Sequence, residues 1–118
     1  MLRKLLRSKI HRATVTDANL DYVGSLTIDR DLMDAAGIVE WEAVLVSDLA
    51  NGNRHETYAI AGPRGSGVIC ANGAAAHLVR LGDKVIIMCF CLLNEQEIAA
   101  HRPRVVLVDE ANRIAQIL

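Results

Sequence analysis

Apolar residues in this chain fall in short runs with β-type alternation, separated at close intervals by turn-forming residues. In KIHRATVT (9–16) the β-formers alternate, so Lys9, His11, Ala13 and Val15 are predicted to share one face of a strand. SLTIDRD (25–31) continues as a strand. DLMDAAGI (31–38) then reads as one short helix, capped by Asp29 or Asp31 and ended by Gly37. VEWEAVLVSDL (39–49) and RHETYAI (54–60) flank ANGN (50–53), and Asn51-Gly52 between two β-rich runs signals a hairpin. AGPRGSG (61–67) is predicted as a loop, VICA (68–71) as a short strand, and NGAAAHLVR (72–80) as a turn running into a short helix. DKVIIMCFCLL (83–93) shows little polar alternation, which predicts a strand covered on both faces. NEQEIAAHRP (94–103) reads as a helical turn ended by Pro103, RVVLVD (104–109) as a final strand, and RIAQIL (113–118) as weakly β. The sum is a mainly β chain with two or three short helices, in the manner of a small barrel or sandwich. With no linker, low-complexity tract or repeat, residues 1–118 are expected to form a single domain.

Composition narrows the function classes. The 118 residues are 52% apolar with a formal net charge of −1, and aromatics make up only 3%. Neither a global electrostatic signal for nucleic acid nor a base-stacking surface is present. Three cysteines, Cys70, Cys89 and Cys91, are an odd number and read as reduced core thiols, with Cys89 and Cys91 directed to the same face of their strand. No Cys or His spacing suits a metal, and the four histidines, His11, His55, His77 and His101, are scattered. The N-terminus MLRKLLRSKIHRAT is basic without a following signal-peptide core, and the run Val85 to Leu93 is too short to span a bilayer. No membrane association and a cytoplasmic location are therefore expected. Arg3, Lys4, Arg7, Lys9 and Arg12 are either a solvated strand face or an anion-binding patch.

Walker, dinucleotide, HExxH and GxSxG motifs are absent. The chain contains Gly-Ser twice, at Gly24-Ser25 and Gly65-Ser66, and nothing in the dipeptide separates the copies. Its neighbours along the chain do. Lys9-Ile10-His11-Arg12 is followed by Tyr22-Val23-Gly24-Ser25. Asn51-Gly52 leads into Arg54, then Thr57-Tyr58-Ala59-Ile60, then Asn72-Gly73-Ala74-Ala75-Ala76-His77. In this order and spacing the fragments resemble the pyruvoyl-dependent aspartate 1-decarboxylase family over essentially the whole chain. Leu26 stands after the serine where some members carry cysteine, and the C-terminal stretch through RIAQIL is shorter than in some relatives.

The resemblance implies a six-stranded double-psi β-barrel, assembled as a homotetramer with active sites between neighbouring subunits. It implies a proenzyme that cuts itself between Gly24 and Ser25, giving a short β chain 1–24 and a long α chain 25–118. Ser25 would become a covalently bound pyruvoyl group that forms a Schiff base with L-aspartate, without metal or pyridoxal phosphate. Decarboxylation would release β-alanine for pantothenate and coenzyme A biosynthesis. Thr57 would assist self-processing and Tyr58 would donate the proton. Lys9 and Arg54 would hold carboxylates, and Thr57 with the Asn72, Gly73, Ala74, Ala75 turn would line the substrate. His11 and Tyr22 fall at supporting positions. Whether the cut is spontaneous or assisted by a maturation factor is left open. The competing reading is a non-catalytic β-barrel binding module that keeps Gly24-Ser25 as an uncut turn.

Overall fold

The computed structural model describes residues 1–21 and 24–118. Nine strands pair in it: β1 (Arg3–Thr14), β2 (Asp17–Asn19), β3 (Leu26–Asp29), β4 (Ala43–Asp48), β5 (Arg54–Gly62), β6 (Ile69–Asn72), β7 (Lys84–Leu93), β8 (Arg104–Val108) and β9 (Ile114–Ile117). Their hydrogen-bonded order is β2-β6-β3-β5-β4-β7-β1-β8-β9. The pairs β3–β5, β1–β8 and β2–β6 are parallel and the other ladders antiparallel. Two helices, α1 (Arg30–Ala36) and α2 (Glu95–Ala100), and a 3₁₀ turn at Gly73–His77 complete the described elements. The mainly β expectation holds. The count of nine exceeds the six strands that the resemblance implies, since short flanking strands such as β2 (three residues) and β9 (four) join the ladder.

Side chains from many elements meet in one core: Ile10 of β1, Ile28 of β3, Met33 of α1, Ile69 of β6, Ile87 of β7 and Val106 of β8 are all fully buried. Two expectations are corrected here. Lys9, His11, Ala13 and Val15 do not share one face, because β1 slips register against β7 between Ile10 and Ala13, with Arg12 at φ 63°. The extra residue turns Ile10 and Ala13 both inward. Nor is β7 covered on both faces within the chain: Val85, Ile87 and Cys89 are buried, while Ile86, Met88 and Phe90 on the other face are half-exposed. β1 also starts at Arg3, six residues ahead of the predicted strand, because Arg3 to Leu6 pair with Phe90 to Leu93. Of the three free thiols only Cys89 is fully buried, and burial pushes its pKa up to about 11.

The hairpin at Asn51-Gly52 is present with a five-residue connection between β4 and β5: Gly52 takes φ 75°, and Asn51 Oδ1 accepts from the Asn53 amide at 2.8 Å. Two of the N-terminal cations have internal partners. Arg7 pairs with Glu42 and donates to the Gly37 carbonyl at 2.7 Å, and Lys4 lies 4.9 Å from the centre of the Phe90 ring.

Asp29 is the cap of α1, and it does more than cap. Only 3% exposed, its carboxylate accepts from the amides of Asp31 (2.8 Å), Gly65 (3.1 Å) and Gly67 (2.8 Å). Gly37, with φ 70°, closes the other end of the helix. The Gly65-Ser66 copy is thereby a structural turn: the Gly65 amide serves Asp29, and the Ser66 amide (3.2 Å) and exposed hydroxyl (2.6 Å) both donate to the Pro63 carbonyl. Asn112 locks the far side, accepting from the Thr14 amide and donating to the carbonyls of Thr14 and Gly67 at 2.7–2.8 Å. Asp29→Ala strands three amide donors in the interior and is expected to cost about 3 kcal/mol or more, read from the denaturant midpoint. Asp29→Asn keeps the oxygen that serves Asp31 and Gly65, so it should lose distinctly less.

Candidate active site

Strand β3 has only four residues and is paired on both sides, so its neighbours are set residue by residue. Leu26 lies opposite Ala59 of β5 in parallel register and opposite Ala71 of β6 in antiparallel register. One step back along β3 and β5, and one step forward along the antiparallel β6, Ser25 is brought between Tyr58 and Asn72. The Asn72 amide donates to the Ser25 carbonyl at 3.0 Å. The Asn72 side-chain Nδ2 donates to Ser25 Oγ and to Thr27 Oγ1, both at 3.0 Å. Ser25 is 2% exposed, which sets it apart from the exposed Ser66.

The backbone at this point is strained. Gly24 has φ 61° and Ser25 φ 80°, and a serine at positive φ costs on the order of 1 kcal/mol or more. Space at Gly24 is also tight: a Cβ there would stand 3.2 Å from the Tyr58 hydroxyl oxygen. The phenol hydroxyl therefore lies beside Gly24.

A cleft of about 360 Å³ opens onto this bond, a size suited to a small ligand. Of the residues expected at the site, Gly24, Ser25, Thr57, Tyr58, Asn72, Ala74 and Ala75 line it. Gly73 lies between Asn72 and Ala74, buried, with φ 64°, and starts the 3₁₀ turn. Lys9, His11 and Arg54 are not among the lining residues. Lys9 pairs with Met88 and Val105, far along the strand order from β3, and Arg54 is exposed at the start of β5 opposite Ser47. His11 Nδ1 is buried without a partner, and burial, then Lys9 and Arg12, hold the ring below the usual histidine range. Tyr22 lies outside the described residues.

Three lining residues were not anticipated: His55, Glu56 and Leu78. The alternation of RHETYAI does put His55 on the same strand face as Thr57, and that signal was available. Trp41 was also missed. Its ring stacks on Tyr58 with centroids 5.7 Å apart and planes 23° apart, a contact between residues 17 apart that no local pattern announces.

Both ring nitrogens of His55 are buried without a hydrogen-bond partner, and burial lowers its pKa below the ordinary 6.5. The folded state thus resists a proton that the unfolded chain accepts, so stability is present above pH 6.5 and is lost as pH falls through the depressed folded value. His55→Phe removes this titration. Its melting temperature relative to wild type should rise at pH 5 by more than it does at pH 8, and an equal shift at both would refute the assignment.

The family model for aspartate decarboxylase matches residues 1–115. An aspartate 1-decarboxylase of Caldicellulosiruptor saccharolyticus is 61% identical over 117 residues, covering 99% of this chain and 91% of the relative. One from Neisseria meningitidis is 60% identical over 118 residues, covering 100% of this chain and 93% of the relative. One from Bacillus cereus is 57% identical, again across the whole of this chain. Matched along nearly all of its length by the family model and by these relatives, the chain belongs to the aspartate decarboxylase family.

Proposed function

We propose that this family member converts L-aspartate to β-alanine and carbon dioxide on a pyruvoyl group made from its own Ser25. One observation carries the reading. The Gly24-Ser25 bond has two successive positive φ values, a buried serine held by Asn72, and a phenol over the glycine. A serine that must become a cofactor needs this much definition, and the residues present suit the group that would replace it.

Self-processing starts with Ser25 Oγ attacking the Gly24 carbonyl carbon. A C–O bond forms, the C–N bond breaks, and the hydroxyl proton ends on the freed amine. Asn72 donates to Oγ, leaving the O–H free to be given up, and Thr57 supplies a hydroxyl for the oxyanion of the tetrahedral intermediate. Loss of the Ser25 α-proton then expels the Gly24 carboxylate, and water replaces nitrogen as ammonia. The products are chain 1–24 and chain 25–118 with a pyruvoyl head. Strain in the starting peptide and fixed proximity both lower the barrier.

Once formed, the pyruvoyl group supplies an electrophilic carbonyl for the substrate amine and a sink for the electron pair that carbon dioxide leaves behind. The chain's own residues do the rest. Tyr58 holds a proton at the mouth of the Gly24-Ser25 cleft for delivery to the substrate α-carbon. Arg54 offers a planar fork to one substrate carboxylate and Lys9 a point charge to the other. Asn72, Gly73, Ala74 and Ala75 bring small-residue backbone close to the substrate, and His11 and Tyr22 support the site.

Lys9, His11 and Arg54 do not line the cleft of their own chain, which supports a site completed by a neighbouring subunit in a homotetramer. Exposed apolar residues such as Leu2, Leu81 and Leu92 provide surface to bury in such an assembly. The six-stranded double-psi barrel of the family is the expected reading of the nine-strand ladder. Among the described residues no helix is long and apolar enough to cross a membrane; a cytoplasmic location is proposed from the chemistry, a reaction on a free amino acid.

Intact-mass analysis of the purified protein should give two chains, one ending at Gly24 and one beginning with a blocked residue 25. Ser25→Ala should abolish both the cut and β-alanine formation, and Ser66→Ala should leave both intact. Tyr58→Phe should lower turnover by about 10²-fold or more in fully cut enzyme. A single full-length species that stays uncut on prolonged warming, or a cut that depends on Ser66, would overturn the reading.

A further inference from the structure

Trp41 is placed where neither burial nor backbone preference favours it. It is 71% exposed, so the core does not hold it. It occupies the third position of a turn in which the Glu42 amide donates to the Val39 carbonyl at 3.2 Å, and its φ is 73°. Glycine or asparagine suits that position and a bulky aromatic does not. What the indole does touch is Tyr58, stacked nearly parallel on its ring.

The platform under the stack is rigid. Trp41 N–H donates to the Ala59 carbonyl at 2.8 Å, and Ala59 N–H donates to the Glu42 carbonyl at 2.9 Å, so the turn is stitched to the strand that carries Tyr58. The Glu42 carboxylate accepts from the Val39 amide at 3.1 Å and pairs with Arg7. Arg7 in turn holds the Gly37 carbonyl, joining the turn to β1 and to the end of α1. The stack covers one side of the phenol, while the hydroxyl lies beside Gly24.

We propose that Trp41 is a positioning residue for Tyr58, fixing by its stack the place from which the phenol hydroxyl acts at the Gly24-Ser25 cleft. This rests on the reading of Tyr58 as proton donor given above. A ring free to pivot about its side-chain bonds carries its hydroxyl through the largest arc, and misplacing a reacting group by about 1 Å is enough to cost about 10²-fold in rate. Trp41 touches no reacting atom; it acts through Tyr58.

Trp41→Asn is the informative variant, since asparagine accepts positive φ and removes the ring without straining the turn. In fully cut enzyme its kcat should fall about tenfold or more, with KM within about twofold of wild type and an unchanged or higher melting temperature. Trp41→Phe, which keeps an aromatic face, should recover most of the loss. In a Tyr58→Phe background, Trp41→Asn should cost nothing further. Trp41 is the single tryptophan of the chain, so its emission should shift when Tyr58→Ala removes the stack. Unchanged kcat in Trp41→Asn beside a disabled Tyr58→Phe would overturn the positioning role and leave the proton donor standing. A raised KM at unchanged kcat, or an emission that ignores Tyr58→Ala, would also overturn it. Full activity in Tyr58→Phe would instead remove the underlying reading.

Discussion

The buried carboxylate of Asp29 is the interaction on which the rest of the structure depends. It closes one end of β3, starts α1, and draws in the Gly65–Gly67 turn through two amides. At the other end of the same short strand, Asn72 holds Ser25 through its amide and its side chain. A four-residue strand has little register information of its own, and side-chain bonds at both ends compensate. The parallel pairing with β5 and the antiparallel pairing with β6 then follow, and with them the meeting of Ser25, Tyr58 and Asn72.

Two copies of Gly-Ser have opposite environments for this reason. At Gly65-Ser66 the backbone amides have acceptors, the hydroxyl is satisfied within its own turn, and the serine faces solvent. At Gly24-Ser25 both residues are driven to positive φ, the serine is excluded from water, and a phenol lies over the glycine. In the first case positive φ falls on a glycine, which tolerates it, and in the second it extends to a serine, Ser25, which does not.

The network from Arg7 through Glu42 to the Trp41 turn shows how a basic N-terminal segment contributes without touching substrate. On charge alone Arg7 was one of several surface cations; in the fold it braces the turn that carries the indole. His55 has the reverse character. It sits in the cleft with both nitrogens unpartnered and its charge suppressed by burial, so it lends shape and low polarity to the site at neutral pH.

Local patterns by themselves determined the mainly β class, the short helix with an aspartate cap (Asp29 or Asp31) and a Gly37 stop, the Asn51-Gly52 hairpin, and the ordered series of residues that resembles the decarboxylase family. Each of these depends on a few consecutive residues, whose preferences survive into the fold because nothing distant opposes them. Tertiary structure alone decided the bulge at Arg12 that turns both Ile10 and Ala13 inward, the half-open outer face of β7, and the bracing role of Arg7. It also brought Trp41 over Tyr58 and separated Lys9 and Arg54 from the cleft of their own chain. Those outcomes depend on which strands lie side by side, and a run of alternating apolar residues carries that information only through partners elsewhere in the chain.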